Sequence, residues 1–167
     1  MTRTRTVTWQ DPALGAEPAA SLTGIEWLRA MASGKAPAPP LVLLLGFSLE
    51  TIAEGEVTVT VEPAEFHYNP LGVAHGGLAA AMFDSALGCA VQSLLPPASA
   101  APTMQLQINY IRPITISTGK LLCTGRVVHM GKRSALAEGR LTDSAGKLHA
   151  FATGTFVVRK IDERRDD

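Results

Sequence analysis

The chain has 167 residues, of which 46% are hydrophobic and 18% are charged, and its 15 basic residues balance its 15 acidic ones. This length supports one domain with its own core, and the composition is that of a globular rather than a disordered protein. The zero formal net charge argues against a global basic field for nucleic acid, and no acidic tail indicates a basic partner.

The cysteines and the apolar segments indicate the cellular compartment of the protein. Cys89 and Cys123 show neither CxxC spacing nor neighbouring metal ligands, which indicates free thiols in a reducing compartment. The first residues lack the apolar stretch of a signal peptide. Residues 77–95 approach the length of a membrane span, but Asp84 at their centre argues against one. We therefore predict a cytoplasmic protein with no membrane partner, no nucleic-acid partner and no metal.

The first 40 residues are predicted to form an N-terminal extension. Residues 1–20 show no periodicity and are predicted to be irregular. Apolar residues at positions 22, 25, 28 and 31 predict a helix over residues 21–31, which Ser21 or Thr23 could cap. The proline-rich residues 34–40 end this helix and predict a stiff linker.

Strand-like patterns follow the linker. Residues 41–45 fit either a short helix or a strand. From residue 47 the residues alternate, and a turn at residues 53–55 predicts a hairpin of strands over 47–52 and 56–61. Four more strands are predicted over residues 103–112, 120–129, 134–142 and 147–159. Their short connections predict antiparallel neighbours.

Between these two groups of strands, residues 77–95 are almost wholly apolar or small and predict one long helix. A helix that is apolar all round is normally buried. We therefore predict an α+β domain over residues 41–160, in which an antiparallel sheet of about six strands wraps around one long apolar helix. The outer face of the sheet would need cover, which favours self-association. Residues 161–167 are predicted to be a solvated charged tail.

The start of the long helix carries the residues with chemical potential. A loop rich in Asn, Pro and Gly leads into the helix, so the amides of Gly76 and Gly77 lie where a helix N-terminus favours negative charge. Asp84 is the one ionisable residue in the helix. Because a buried unpaired carboxylate is costly, we expect Asp84 to be a buried acid with a function.

The spacing of these groups predicts a homodimer. Asp84 lies eight residues after Gly76, which is about 12 Å along a helix. A base or nucleophile must come within about 3 Å of the reacting group, so Asp84 cannot act on a carbonyl bound at its own helix N-terminus. Two antiparallel helices about a two-fold axis would place each Asp84 against the other chain's amides. The sequence therefore favours two shared sites.

The motif Asn-Pro-x-Gly-x-x-His-Gly-Gly over residues 69–77, with Asp84 nine residues after the His, resembles the PaaI-like branch of the hotdog-fold acyl-CoA thioesterases. The resemblance covers roughly residues 41–158, and the sequence of residues 109–113 fits it as well. It implies a single hotdog domain that hydrolyses acyl-CoA to free acid and CoA. It also implies a homodimer or a dimer of dimers (a homotetramer), with no cofactor beyond the CoA of the substrate.

The resemblance implies a role for each of five residues. The Gly76 amide would polarise the thioester carbonyl, and Asp84 would act as nucleophile or general base, between which the sequence does not choose. Asn69 and His75 would hold the site, and Thr103 would assist from the side of the carboxylate. Amides aimed at a carbonyl that gains negative charge form an oxyanion hole, which agrees with these roles.

Further residues are predicted to bind the substrate. Gly77 is one candidate, because its amide lies at the helix N-terminus. The phosphates of CoA favour Arg or Lys, for which Arg112, Lys132 and Arg133 are candidates. Each prediction has a structural alternative: solvated turn charges for the three cations, and a cap or interface hydrogen bond for Asp84. The alternatives are a brace for His75, a turn residue for Asn69 and an ordinary strand residue for Thr103.

Two rival functions stay open. The first is a hotdog enoyl-CoA hydratase or dehydratase, whose sites resemble an Asp-x₄-His pattern on the helix. The position five residues after Asp84 is Cys89 and not His, which argues against this function. A non-catalytic acyl-binding hotdog protein is the other rival. The intact loop motif and Asp84 argue against it only weakly.

Overall fold

The computed structural model of the protein describes residues 2–161, so all of the predicted charged tail except Ile161 lies outside the described residues. The helices are α1 (Pro12–Ala16), α2 (Gly24–Ala32), α3 (Pro40–Leu45) and α4 (Gly76–Gln92). The strands are β1 (Ser48–Ala53), β2 (Glu56–Val61), β3 (Ser99–Ala100), β4 (Thr103–Tyr110), β5 (Leu121–Met130), β6 (Ser134–Asp143), β7 (Leu148–Val157) and β8 (Arg159–Lys160).

Six strands form one antiparallel sheet in the order β1-β2-β5-β6-β7-β4, and β3 pairs with β8 separately. The predicted α+β architecture of one six-stranded antiparallel sheet around a long helix is confirmed. Strands β1 and β4 lie at the two ends of this order. The outer edge of β4 therefore has no neighbouring strand among residues 2–161.

Helix α4 packs across the middle of the sheet. One side of it, which includes Leu78, Met82, Phe83, Leu87 and Val91, is buried in the main core. Burying such side chains is the main contribution to the stability of the fold. In the described part of the chain, no helix combines the length and the apolar character that a membrane crossing requires.

Glycines let α4 approach the sheet closely. Gly125 of β5 lies opposite Gly139 of β6, and a Cβ atom added to Gly125 would lie 2.5 Å from the backbone oxygen of Ala86. That separation is far below van der Waals contact, and the atom it would meet belongs to the backbone of α4. A side chain at this position must therefore displace the helix.

We expect Gly125→Ala to lower the free energy of unfolding by at least about 1–3 kcal/mol, the usual cost of overpacking a core. Gly88→Ala is the matched control, because its Cβ would meet Phe156 only at 3.6 Å and alanine favours a helix by up to about 1 kcal/mol. Urea unfolding followed by circular dichroism measures both. Equal midpoints for the two variants would show that the close approach does not constrain the fold.

The prediction that residues 1–20 are irregular is wrong, because α1 and a 3₁₀ turn over Glu17–Ala20 lie there. Helix α1 is fixed by its start: the Asp11 carboxylate accepts the Ala13 N–H at 2.9 Å, and proline follows at the first helical position. Five residues are too few for an apolar period, so the pattern did not reveal this helix.

The next two helices also depend on their ends. Helix α2 begins after Thr23, whose N–H and hydroxyl both donate to the Glu26 carboxylate, at 2.9 and 2.7 Å. Thr23, one of the two predicted candidates, is therefore the cap. The undecided residues 41–45 belong to helix α3, which ends at Gly46 in a left-handed conformation with φ of +73°.

Candidate active site

His75 caps the N-terminus of α4. Its extended backbone (φ −60°, ψ 138°) leads into the helix, and its Nδ1 accepts the N–H of Gly77 at 2.9 Å. Gly76 is the first helical residue, so its N–H has no acceptor within the helix. Of the two glycine amides predicted to face a substrate, that of Gly77 is thus bonded to His75, and only that of Gly76 lacks such a side-chain acceptor among the described residues.

Asn69 organises the loop before the helix. Its side-chain oxygen accepts the N–H of Leu71 at 2.9 Å, and its own N–H donates to the carbonyl of Val73 at 2.8 Å. Gly72 completes the turn with φ of +76°. These contacts are those of a turn residue, which is the structural alternative given for Asn69, and they shape the loop that leads into α4.

His67 supports the same loop, although no motif singled it out. It is 5% exposed, and its Nδ1 accepts the N–H of Ala64. The proton therefore lies on Nε2, which donates to the carbonyl of Leu45 at 3.0 Å. Burial lowers the pKa of His67 and keeps the ring neutral. The hydrogen bonds of its ring hold His67 in place, and the backbone carbonyl of His67 accepts the N–H of His75. His67 thereby helps to position the start of α4.

A shallow cleft of about 290 Å³ opens beside Gly76, between the start of α4 and the chain that follows β4. Tyr110, the last residue of β4, donates its hydroxyl to the carbonyl of Gly76 at 3.1 Å. Arg112 lines the cleft and donates to the carbonyl of Leu148. A polar group bound at the Gly76 amide would therefore have an arginine nearby.

Asp84 lies on the side of α4 that is next to β4, at one end of the sheet. Its Oδ1 accepts a hydrogen bond from the Thr103 hydroxyl at 2.7 Å, so the structure brings together these two predicted residues. The prediction that Asp84 is buried is wrong for the single chain, in which it is exposed. Small residues such as Gly77, Ala81 and Gly88 lie on the same side of α4. Because they carry little apolar surface, the hydrophobic effect gives the chain little reason to bury this side.

The predicted site residues therefore form two groups. Gly76 and Asp84 lie eight residues apart on one helix, about 12 Å along its axis. Strand β4 runs past both groups, because its first residue, Thr103, contacts Asp84 and its last residue, Tyr110, contacts Gly76. One chain thus has an amide group at one end of β4 and a carboxylate group at the other.

The predicted phosphate-binding cations are divided in the same way. Lys132 and Arg133 are exposed on the turn between β5 and β6, where the Arg133 carbonyl accepts the N–H of Val158. Thr103 pairs with Phe156 on the neighbouring strand β7, so this turn lies at the Asp84 end of the sheet. Arg112 lies at the Gly76 end.

Cys89, one turn of α4 beyond Asp84, does not have the properties of a nucleophile. Burial, and then the charge of Asp84, raise the pKa of its thiol to about 12, so it is neutral at physiological pH. Among the described residues, no cluster of three or more His, Cys, Asp and Glu side chains could hold a metal ion.

Residues 71–150 match the model of a protein family described as the thioesterase superfamily. The chain is also similar to a protein of Halobacterium salinarum whose name places it among esterases. The two are 34% identical over 124 residues, which cover 71% of this chain and 80% of that protein.

Solved structures show the same likeness. A variant of phenylacetic acid degradation protein PaaI from Thermus thermophilus is 29% identical, with a TM-score of 0.65 over 71% of this chain and 98% of that one. A protein of Streptococcus mutans, solved bound to acetyl-CoA, is 30% identical, with a TM-score of 0.63 over 68% of this chain and 89% of that one. Each likeness therefore covers more than two thirds of this chain and most of the solved chain.

Proposed function

The chain belongs to the thioesterase superfamily, and we propose that it hydrolyses acyl-CoA thioesters to a free acid and CoA. The resemblance of its loop-and-helix motif to PaaI-like proteins agrees with that membership. The observation that carries the proposal is the pairing of Asp84 with Thr103 at one end of β4, while the Gly76 amide lies at the other. The acetyl-CoA bound by the Streptococcus mutans relative supports CoA esters as the substrate class.

The active unit in this proposal is a homodimer joined along β4. The outer edge of this strand exposes Met104 and Tyr110, at 66% and 59% of their surface. An open apolar edge invites another strand. Antiparallel pairing of two β4 strands about a two-fold axis would bring Thr103 and Asp84 of one chain opposite Gly76 of the other. Two complete sites would form per dimer, and Asp84 would gain the cover that it lacks in one chain.

Each part of the shared site has a role in hydrolysis. The thioester carbonyl accepts the Gly76 N–H of one chain, at a helix N-terminus that favours the negative charge developing on the carbonyl oxygen. Asp84 of the other chain either removes a proton from the attacking water or attacks the carbonyl carbon itself. The Thr103 hydroxyl orients the carboxylate.

In the first route the C–S bond breaks as the tetrahedral intermediate collapses to the acid, and the proton taken up by Asp84 passes to the departing thiolate. In the second route the C–S bond breaks to give an anhydride between the acyl group and Asp84, and the thiolate takes a proton from water. A second water then hydrolyses this anhydride, which releases the acid and restores the carboxylate. Neither route requires a cofactor.

A panel of CoA esters with acetyl, octanoyl and phenylacetyl groups, assayed for free thiol, tests the proposal. Appearance of the thiol at a rate that depends on the protein concentration supports hydrolysis. Binding of the esters without release of thiol would instead support the non-catalytic alternative. Addition of water to an enoyl-CoA without thiol release would support the hydratase alternative.

Lys132 and Arg133 are proposed to bind the phosphates of CoA, because both are exposed at the Asp84 end of the sheet. Replacing both by Ala should raise KM for CoA esters and leave kcat nearly unchanged, since phosphate binding contributes alike to ground and transition states. Pantetheine thioesters, which lack the nucleotide phosphates, are the control substrate. An equal rise in KM for both substrates would mean that these residues act on the fold and not on the phosphates.

A further inference from the structure

A separate cavity of about 340 Å³ lies between the N-terminal extension and α4. Residues from α2, α3, β1 and α4 contribute to its walls, among them Met31, Ala32, Val42, Leu49, Ser85 and Cys89. The lining is mostly apolar, and no charged side chain belongs to it. Cavities of this size and character are typical of sites that enclose small organic molecules.

This cavity is next to the proposed reaction centre. Ser85 immediately follows Asp84, and Cys89 lies one turn further along the same side of α4. On a helix with 3.6 residues per turn, positions 81 and 88 fall between Asp84 and this wall. Those positions hold Ala81 and Gly88, which are only partly buried. No large side chain of α4 therefore separates the carboxylate from the cavity.

We propose that this cavity receives the acyl group of the thioester, so that the N-terminal extension determines acyl specificity. The inference rests on the proposed function, since Asp84 marks the position of the thioester carbon. The substrate class is an uncharged, apolar acyl group of several carbons. An acyl group with a terminal carboxylate is disfavoured, because the cavity offers its charge no partner. Helices α2 and α3 lie outside residues 71–150, so the residues that they place on the cavity wall are not part of the segment that matches the family model.

Two stable thioethers, S-octyl-CoA and S-methyl-CoA, test the proposal by calorimetry without any turnover. The wild type should bind S-octyl-CoA at least about tenfold more tightly, because several buried methylene groups each contribute to affinity. Ala32→Phe, which fills the cavity from an exposed position at the end of α2, should reduce this preference to roughly threefold or less. Ala38→Phe, from the linker, fills it independently.

Ala20→Phe is the matched control, since Ala20 is exposed on the same extension but does not line this cavity. It should keep the full preference. Equal wild-type affinities for the two thioethers, or the same loss in Ala20→Phe as in both filled variants, would overturn the inference. A preference for S-octyl-CoA without hydrolysis of octanoyl-CoA would refute the thioesterase proposal alone. Hydrolysis without any preference for chain length would refute only the proposed role of the cavity as the acyl site.

Discussion

Asp84→Asn is expected to lower kcat for the hydrolysis of CoA esters by at least about two orders of magnitude, the usual effect of losing an acid–base group. The amide oxygen can still accept the Thr103 hydroxyl that Asp84 accepts at 2.7 Å, but the side chain can neither take a proton nor attack a carbonyl. Because asparagine has the same size and keeps this hydrogen bond, the free energy of unfolding should change by no more than about 0.5 kcal/mol. Steady-state release of thiol and urea unfolding measure the two effects.

Thr103→Val is the graded control for this experiment. It keeps the carboxylate and removes only the hydrogen bond that orients it, so the loss in kcat should be nearer tenfold, the equivalent of about 1–1.5 kcal/mol. An Asp84→Asn enzyme that keeps more than a tenth of the wild-type kcat would remove Asp84 from the chemistry. Its pairing with Thr103 would then be structural.

Gly76→Pro is expected to lower kcat by about 10²–10³, the effect of losing one oxyanion-hole donor. Proline lacks the N–H that we assign to the thioester carbonyl. The backbone should tolerate it, because Gly76 is the first residue of α4, where proline is favoured. The preceding His75, with ψ of 138°, already has the extended conformation that proline requires of its neighbour.

Gly76→Ala separates the loss of the amide from simple crowding. It retains the N–H but adds a Cβ that would lie 3.3 Å from the Tyr110 hydroxyl, a slightly tight contact. We expect a much smaller loss of kcat than in Gly76→Pro. If the two variants lose the same activity, crowding against Tyr110 explains both results and the amide has no special role.

Much of the fold was predictable because its strands alternate regularly. The β2 range of 56–61 coincides with the observed strand, and the predicted 103–112 and 120–129 differ from β4 and β5 by one or two residues. The resemblance also implied that Thr103 assists from the side of the carboxylate, and in the structure its hydroxyl donates to Asp84 at 2.7 Å. The catalytic roles stay predictions.

Other features depend on information that a single-sequence pattern does not contain. Asp84 is exposed because its own chain does not cover that side of α4. Alanine and glycine occur on both the covered and the uncovered side, so the sequence of the helix does not distinguish them. The hydrogen bond from the Gly77 N–H to His75 Nδ1 depends on the conformation of the His75 side chain, which the sequence does not specify. The hydrogen bond from His67 to the carbonyl of Leu45 joins residues 22 positions apart, so no local spacing predicts it.

Mixed dimers test the shared site most directly. Asp84→Asn and Gly76→Pro chains carrying different affinity tags would be coexpressed, and dimers with one of each isolated by tandem purification. Each mixed dimer has one site with an intact Gly76 from one chain and an intact Asp84 from the other, and one site with neither.

These mixed dimers should recover about half of the wild-type activity per dimer, while each mutant homodimer stays nearly inactive. Mixed dimers as inactive as the homodimers would contradict a site built from two chains.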